Sequence, residues 1–301
     1  MSDFESYVIV TPARNEARFI ELTLSSVVAQ NRAPLKWVIV SDGSTDGTDA
    51  IVQRYASQYP WIELLALPDR QKRDFAGKAH AFNQGYARVK HLNFDVIASL
   101  DADVSFDSDY FAFLLGKLAA EPLLGLAGTP FRETCGESYD FRFASTDHVS
   151  GACQVFRRAC FESIGGYLAL QGGGVDLVAV VTARMKGWQT RTYPEKVCLH
   201  HRAMNSAMNR GLKLKFKWGQ SDYRLGGHPV WQVFRCCYQM SRRPYVVGGI
   251  ATLAGYYFAL LARRKRSVSA EFIRFRGEEQ LRRLKRFFTA HLSTPRTSSL
   301  S

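Results

Sequence analysis

The residues best placed to do chemistry are Asp101 and Asp103, which close the run Phe94-Asp95-Val96-Ile97-Ala98-Ser99-Leu100 with Ala102 between them. The apolar run reads as a buried strand. In open α/β sheets ligands sit beyond the carboxyl ends of the strands, so both acids line a crevice. Alternation along an extended chain sends them to the same side, where they repel unless a divalent cation neutralises them. Oxygen ligands of this kind suit Mg2+ or Mn2+, usually completed by substrate phosphates. The alternative is an acidic loop that caps the next helix.

The elements before this strand repeat one pattern. Tyr7-Val8-Ile9-Val10 is an apolar strand that ends at Thr11-Pro12-Ala13-Arg14-Asn15-Glu16, and a helix follows to about Gln30. Lys36-Trp37-Val38-Ile39-Val40 ends at the turn-rich Ser41-Asp42-Gly43-Ser44-Thr45-Asp46-Gly47-Thr48, before a helix over roughly 47–58. A third strand, Ile62-Glu63-Leu64-Leu65, leads to a helix over 77–90. Strands alternating with helices of this length imply parallel βαβ units. Polar clusters around Arg14, at Asp42 and at Asp101/Asp103 thus fall along one sheet edge, where a nucleotide fits. Asp42 either accepts hydrogen bonds from a base or ribose or closes an Asx-turn on its own backbone.

Pro12-Ala13-Arg14-Asn15-Glu16, Ser41-Asp42-Gly43-Ser44-Thr45-Asp46, Gly77-Lys78-Ala79-His80-Ala81-Phe82-Asn83-Gln84-Gly85 and Asp101-Ala102-Asp103 resemble, in order and spacing, the successive motifs of family-2 glycosyltransferases. The resemblance covers about residues 5–203. It implies a GT-A nucleotide-diphospho-sugar transferase fold, with a mostly parallel central sheet flanked by helices. The activity it implies is transfer of a sugar from a nucleotide donor, usually with inversion. By this resemblance Pro12, Arg14, Glu16 and Asp42 border the nucleoside, and Lys78 lies near the donor. Asp103 holds the metal on the diphosphate, with Asp101 beside it.

Farther on, Gly172-Gly173-Gly174-Val175-Asp176 precedes an apolar helix to about Lys186. A carboxylate after three glycines sits at a helix start, where the backbone can approach a ligand; the plain alternative is an N-cap. The family places its catalytic base here, usually in a Glu-Asp pair, and Val175 stands where that Glu is usual. Asp176 is then the sole candidate for the base. His200-His201 follow a strand expected over 190–199. Imidazole binds Mn2+ acceptably, and His201 is the preferred added ligand.

Charge divides the chain. Residues 1–200 carry 20 Lys/Arg against 23 Asp/Glu, a net −3, and residues 201–301 carry 20 against 4, a net +16. Two parts of the chain therefore face different partners. A catalytic domain is expected over 1–203, a basic helical membrane-associating region over 204–291 and a loose end over 292–301. Arg210, Lys213, Lys215 and Lys217 alternate with Leu212, Leu214 and Phe216, which fits a strand or a basic helix at an interface. Residues 244–262 carry no charge and lie between Arg242-Arg243 and Arg263-Arg264-Lys265-Arg266. A span needs roughly 20 residues, but one crossing would put these arginines outside, against the positive-inside tendency. A re-entrant or interfacial segment is preferred to a transmembrane one. A basic amphipathic helix over 268–289 then lies on anionic lipid.

The six cysteines (135, 153, 160, 198, 236 and 237) show no metal-ligand spacing and read as small apolar fillers in a reducing compartment. The first six residues lack the basic and apolar regions of a signal peptide, so the catalytic part is expected at the cytoplasmic face of the inner (plasma) membrane. A polyprenyl-linked or other glycan acceptor suits such a place. A sugar-nucleotide nucleotidyltransferase should carry a Gly-rich loop after its first strand, and Thr11 to Glu16 has no glycine. A nucleic-acid binder fits the pI of about 9.6, but the uncharged 244–262 run suits lipid better, and no nucleic-acid partner is expected.

Overall fold

Four apolar runs form the parallel half of one sheet. They are β1 (Tyr7–Ala13), β2 (Lys36–Asp42), β3 (Ile62–Leu67) and β4 (Val96–Leu100), connected by α1 (Ile20–Val28), α2 (Thr48–Ala56) and α3 (Ala76–Val89). Tyr7 to Val10 and Trp37 to Val40 are fully buried, because helices cover both faces of the sheet. The chain then adds β5 (Val104–Ser105), α4 (Tyr110–Ala120), β6 (Leu124–Gly128), β7 (Phe131–Glu133), β8 (Cys153–Arg157), α5 (Arg158–Ser163), α6 (Val175–Met185), β9 (Gln189–Thr192) and β10 (Cys198–His200). The seven-stranded sheet has the order β3-β2-β1-β4-β8-β6-β9, and a small second sheet has the order β5-β10-β7. Only β8 runs against its neighbours β4 and β6 in the large sheet. The mostly parallel sheet flanked by helices is the α/β architecture expected.

This computed structural model describes residues 6–68, 76–133, 146–202, 211–240 and 245–292. Two compact units divide at residue 206, Met1–Ser206 and Ala207–Ser301. The second unit holds α7 (Leu212–Arg224), α8 (Pro229–Gln239), α9 (Val247–Leu261) and α10 (Ala270–Leu292). Cys135, Arg210, Arg242, Arg243 and Pro244 lie outside the described residues.

Several local expectations change. The helix expected from Glu16 begins at Ile20, because Asn15 takes a left-handed φ of 56° and a turn over 17–19, closed on the Glu16 carbonyl, comes first. The single strand expected over 190–199 is split into β9 and β10, which join different sheets with Pro194 between them. The alternating stretch 212–217 is helical, the first part of α7. The uncharged segment forms α9, of 15 residues, and no helix of the described residues is long and apolar enough to cross a membrane. The helix expected over 268–289 is α10, which buries Phe272, Arg276 and Gln280 and exposes Leu281 and Phe288. Phe234 of α8 packs edge-on against its Phe287 at 4.9 Å.

The helix that carries Lys78 is held close to the sheet by a glycine. A Cβ on Gly85 would lie 2.5 Å from Cγ1 of Val10 and 2.8 Å from Cγ2 of Val40. Gly116 of α4 has open space where a Cβ would go. Alanine gains up to about 1 kcal/mol over glycine within a helix, while overpacking a tight site costs about 1–3 kcal/mol. Gly116→Ala is therefore expected to raise the melting temperature and Gly85→Ala to lower it. Thermal unfolding of the two variants beside the wild type checks the opposite signs.

Candidate active site

The loops after β1 and β2 are tied together by side chains drawn from their polar clusters. Asn15 N–H donates to Ser44 Oγ (3.1 Å), and its side-chain oxygen accepts from Thr45 N–H (2.8 Å). Glu16 N–H donates to Thr48 Oγ1 (2.8 Å), and Ala17 N–H donates to Asp46 (3.0 Å). Serines, threonines and Asp46 thus build the scaffold. Arg14 and Asp42 form an ion pair, 3.8 Å apart, beside Pro12 on the paired strand.

One strand farther along the edge, β4 delivers the acids. Asp101 N–H donates to the Ala152 carbonyl (3.0 Å), which fixes the chain as it leaves the sheet. Lys78, near the start of α3, reaches Asp101 Oδ1 at 2.7 Å and lies 3.7 Å from Asp176 Oδ1. It also donates to the Gly151 carbonyl (3.3 Å). Burial works against the Lys78 charge, but Asp101 and Asp176 outweigh it and raise its pKa. Burial does most to push Asp101 up to about 6; Lys78 opposes it, and Asp103 and Asp176 add to it.

Asp103 lies deeper, 7% exposed, and faces β10. The small sheet pairs His200 with Val104, one residue past Asp103, so the buried side of β10 carries Cys198 and His200. His200 Nε2 is 3.5 Å from Asp103 Oδ1. Its Nδ1 meets the Arg202 carbonyl, which can only accept, so Nδ1 carries a proton and Nε2 is the ring nitrogen that faces Asp103. Ligand atoms of Asp101, Asp103 and His200 all lie within 4.8 Å of one another. Carboxylate oxygens with one imidazole fit Mn2+ well and Mg2+ less well.

His201 was the expected ligand, and the geometry corrects it. Its Nε2 is hydrogen-bonded to Ser105 Oγ (2.8 Å), and burial lowers its pKa. Alternation decides the matter: Leu199 is exposed, so the residues of the ladder on either side of it, Cys198 and His200, turn inward. Arg202 escaped the sequence reading altogether. Its Nε donates to Asp103 (3.0 Å), and its Nη2 pairs with Glu16, so one guanidinium joins acids from the segments that follow β1 and β4. Burial still pushes Glu16 up to about 7, with Arg202 opposing it. The one signal available was a cation directly after the histidine pair.

Asp176 stands in the first turn of α6, after Gly174 in the left-handed region (φ 88°) as N-cap. Its Oδ1 is sealed from solvent and has no hydrogen-bond partner. Gly151 makes room for it, since a Cβ there would lie 2.1 Å from Asp176 Oδ2. Gln154 and Tyr167 buttress the region, Tyr167 Oη donating to Gln154 Oε1 (2.5 Å). Val175, at the position of the usual Glu, is buried. The structure therefore gathers Lys78, Asp101, Asp103 and Asp176 in one cluster, joins Glu16 to it through Arg202, and leaves the Arg14–Asp42 pair along the same edge.

The family model for glycosyl transferase family 2 matches residues 8–146. Among curated proteins, a poly-beta-1,6-N-acetyl-D-glucosamine synthase of Staphylococcus aureus (strain COL) is 23% identical over 249 residues, 76% of this chain and 56% of its own. The chain therefore spans about half the length of that relative. A 4,4'-diaponeurosporenoate glycosyltransferase of S. aureus (strain bovine RF122 / ET3-1) is 34% identical over 102 residues, 34% of this chain and 25% of its own. Among solved structures, the mannosyltransferase PcManGT of Pyrobaculum calidifontis in complex with GDP-Man and Mn2+ superposes with a TM-score of 0.55 and 20% identity, covering 98% of this chain and 85% of its own. S. aureus TarS 1-349 in complex with UDP-GlcNAc gives a TM-score of 0.51 at 12% identity, covering 87% and 74%. These likenesses define the fold as GT-A.

Lys78 bridges two carboxylates, and a divalent cation at Asp101 would compete with it. Lys78→Met is expected to lower the melting temperature of the metal-free protein, an unpartnered half-buried carboxylate costing about 1–3 kcal/mol. Adding Mn2+ should then raise the melting temperature by more in the variant than in the wild type. Equal increments in a thermal-shift titration against chelator would show that Lys78 and the cation do not share Asp101.

Proposed function

We propose a specific reaction for this chain, whose N-terminal unit carries a family 2 glycosyltransferase domain and is a nucleotide-sugar glycosyltransferase of GT-A fold. It moves a sugar from a nucleoside-diphosphate donor, with inversion, to a hydroxyl of a lipid-linked or other glycan acceptor. One observation carries the reading: Lys78 brings Asp101 and Asp176 to a single cation, within the cluster that contains Asp103 and His200. A phosphate-binding end and a proton-accepting end thus meet at one place.

The residues divide the work by position. Pro12, Arg14, Glu16 and Asp42 border the nucleoside, Asp42 offering an acceptor to base or ribose. Lys78 places a fixed positive charge beside the diphosphate. Asp176 takes the proton from the acceptor hydroxyl as that oxygen bonds to the anomeric carbon. The bond from that carbon to the diphosphate oxygen breaks, and the diphosphate leaves with the electron pair. A base within hydrogen-bond reach is worth roughly 10²–10⁴-fold in rate. Asp176 Oδ1 makes no hydrogen bond that the proton would have to displace, and its one close charge is Lys78 at 3.7 Å. Asp103, Asp101 and His200 would hold Mn2+ or Mg2+, which when bound supplies charge against the leaving diphosphate.

The relatives' names, a polysaccharide synthase and a glycosyltransferase, support a role in polysaccharide or glycolipid synthesis. The net +16 of residues 201–301 supports attachment to an anionic membrane surface. Five described cysteines are free thiols, four of them buried, which fits the reducing, cytoplasmic face of that membrane.

Titration calorimetry with UDP, GDP, CDP and dTDP, with and without Mn2+, tests the donor site. Metal-dependent binding of one diphosphate, lost in Asp103→Ala, is expected. Binding of none of the four would remove the donor from the proposal. Asp176→Asn should bind that diphosphate like the wild type while its turnover falls by about 10²–10⁴. Unchanged turnover would assign the base elsewhere.

A further inference from the structure

The two faces of α9 differ sharply. One buries Gly248, Gly249, Thr252, Gly255, Tyr256 and Ala259. Here the backbones of α7 and α9 touch: a Cβ on Gly219 would lie 1.9 Å from the Thr252 carbonyl oxygen, and one on Gly255 2.0 Å from that of Phe216. Such glycine-lined contact is the habit of helices that pack without a large apolar interface between them. The other face carries Val247, Ile250, Ala254, Phe258 and Leu261, all exposed and three or four residues apart. Relative exposures of Val247, Ile250, Phe258 and Leu261 are 50, 50, 46 and 81%. No charge interrupts residues 245–262, and exposed Arg263, Arg264 and Lys265 follow at once.

We infer that this face of α9 inserts into the outer part of an anionic phospholipid bilayer, with Arg263, Arg264 and Lys265 on the headgroups. The inference rests on the proposed membrane attachment and names the element that inserts. Fifteen residues make a helix of about 22 Å, shorter than the roughly 30 Å hydrocarbon core, so α9 lies in the interface plane. Trp218 of α7, 41% exposed, is of the type that settles at headgroup level.

A second copy of the chain is the competing occupant, and the charges disfavour it. Two copies meeting at α9 would bring together two clusters of like charge. Asp222, Glu271, Glu278 and Glu279 are the only acids of residues 201–301, and Asp222 already pairs with Arg235 and Arg276. The stripe also lacks polar side chains, whereas protein interfaces carry about one hydrogen bond per 100–200 Å².

The test is co-flotation of the full chain with vesicles of phosphatidylcholine containing phosphatidylglycerol, and with phosphatidylcholine alone. The wild type should bind the anionic vesicles more tightly, and less so as salt rises. Ile250→Glu and Phe258→Glu should each weaken that binding at least about tenfold while keeping the wild-type melting temperature. In Phe258→Trp, acyl chains brominated near the headgroup should quench the fluorescence that the substitution adds. Wild-type binding that both glutamate variants retain, or an added indole signal that bromine leaves untouched, would show that another surface inserts while membrane attachment stands. A wild type that floats with neither vesicle would overturn the attachment itself. A dimer in sedimentation that Ile250→Glu dissociates would give the stripe to a second copy.

Discussion

Three carboxylates gathered at one sheet edge set the terms for this unit. Asp101, Asp103 and Asp176 come from a strand end, a turn and a helix start, and none could sit there without positive charge close by. Lys78 supplies it between Asp101 and Asp176, and Arg202 supplies it between Asp103 and Glu16. Each cation comes from a different element, so the fold must hold α3, β4, β10 and α6 in register for the charges to cancel. Asp101 and Asp103 also lie with His200 in a cluster whose ligand atoms are within 4.8 Å of one another, so a divalent cation bound there would change that balance.

The close packing around these charges follows from the same demand. Gly85 lets α3 approach β1 and β2, and Gly151 leaves the volume that the Asp176 carboxylate fills. The small β5-β10-β7 sheet has few residues of its own, yet its ladder settles which histidine turns inward. Polar residues that look like ligands in a row, such as Ser44, Asp46 and Thr48, spend their hydrogen bonds tying two loops together. Arg14 and Asp42, paired with each other, are the ones that face along the edge.

The C-terminal unit meets a different constraint. It carries a large excess of positive charge, and it buries some of it. Arg276 is nine-tenths buried, donates to the Leu225 carbonyl (2.6 Å) and shares Asp222 with Arg235. Burial lowers its pKa to about 10, with Asp222 opposing. Arg263, Arg264 and Lys265 are exposed, next to α9 with its apolar outer face.

The sequence alone determined the βαβ order, the strand ends that carry Arg14, Asp42 and Asp101/Asp103, and the split in charge at about residue 200. These depend on local period and composition, which a single chain displays directly. It also located Asp176 after its glycines and the uncharged segment at 244–262. What it could not decide depends on neighbours far along the chain. Whether 212–217 is strand or helix turned on Gly219 packing against α9, since both periods fit the alternation. Whether His200 or His201 faces Asp103 turned on the pairing of β10 with β5, because a one-residue shift reverses every side chain. Arg202 acquired its partners across 99 and 186 residues, a juxtaposition that no local pattern encodes. Tertiary structure decided these points because charge neutralisation is a property of atoms in space, not of residues in order.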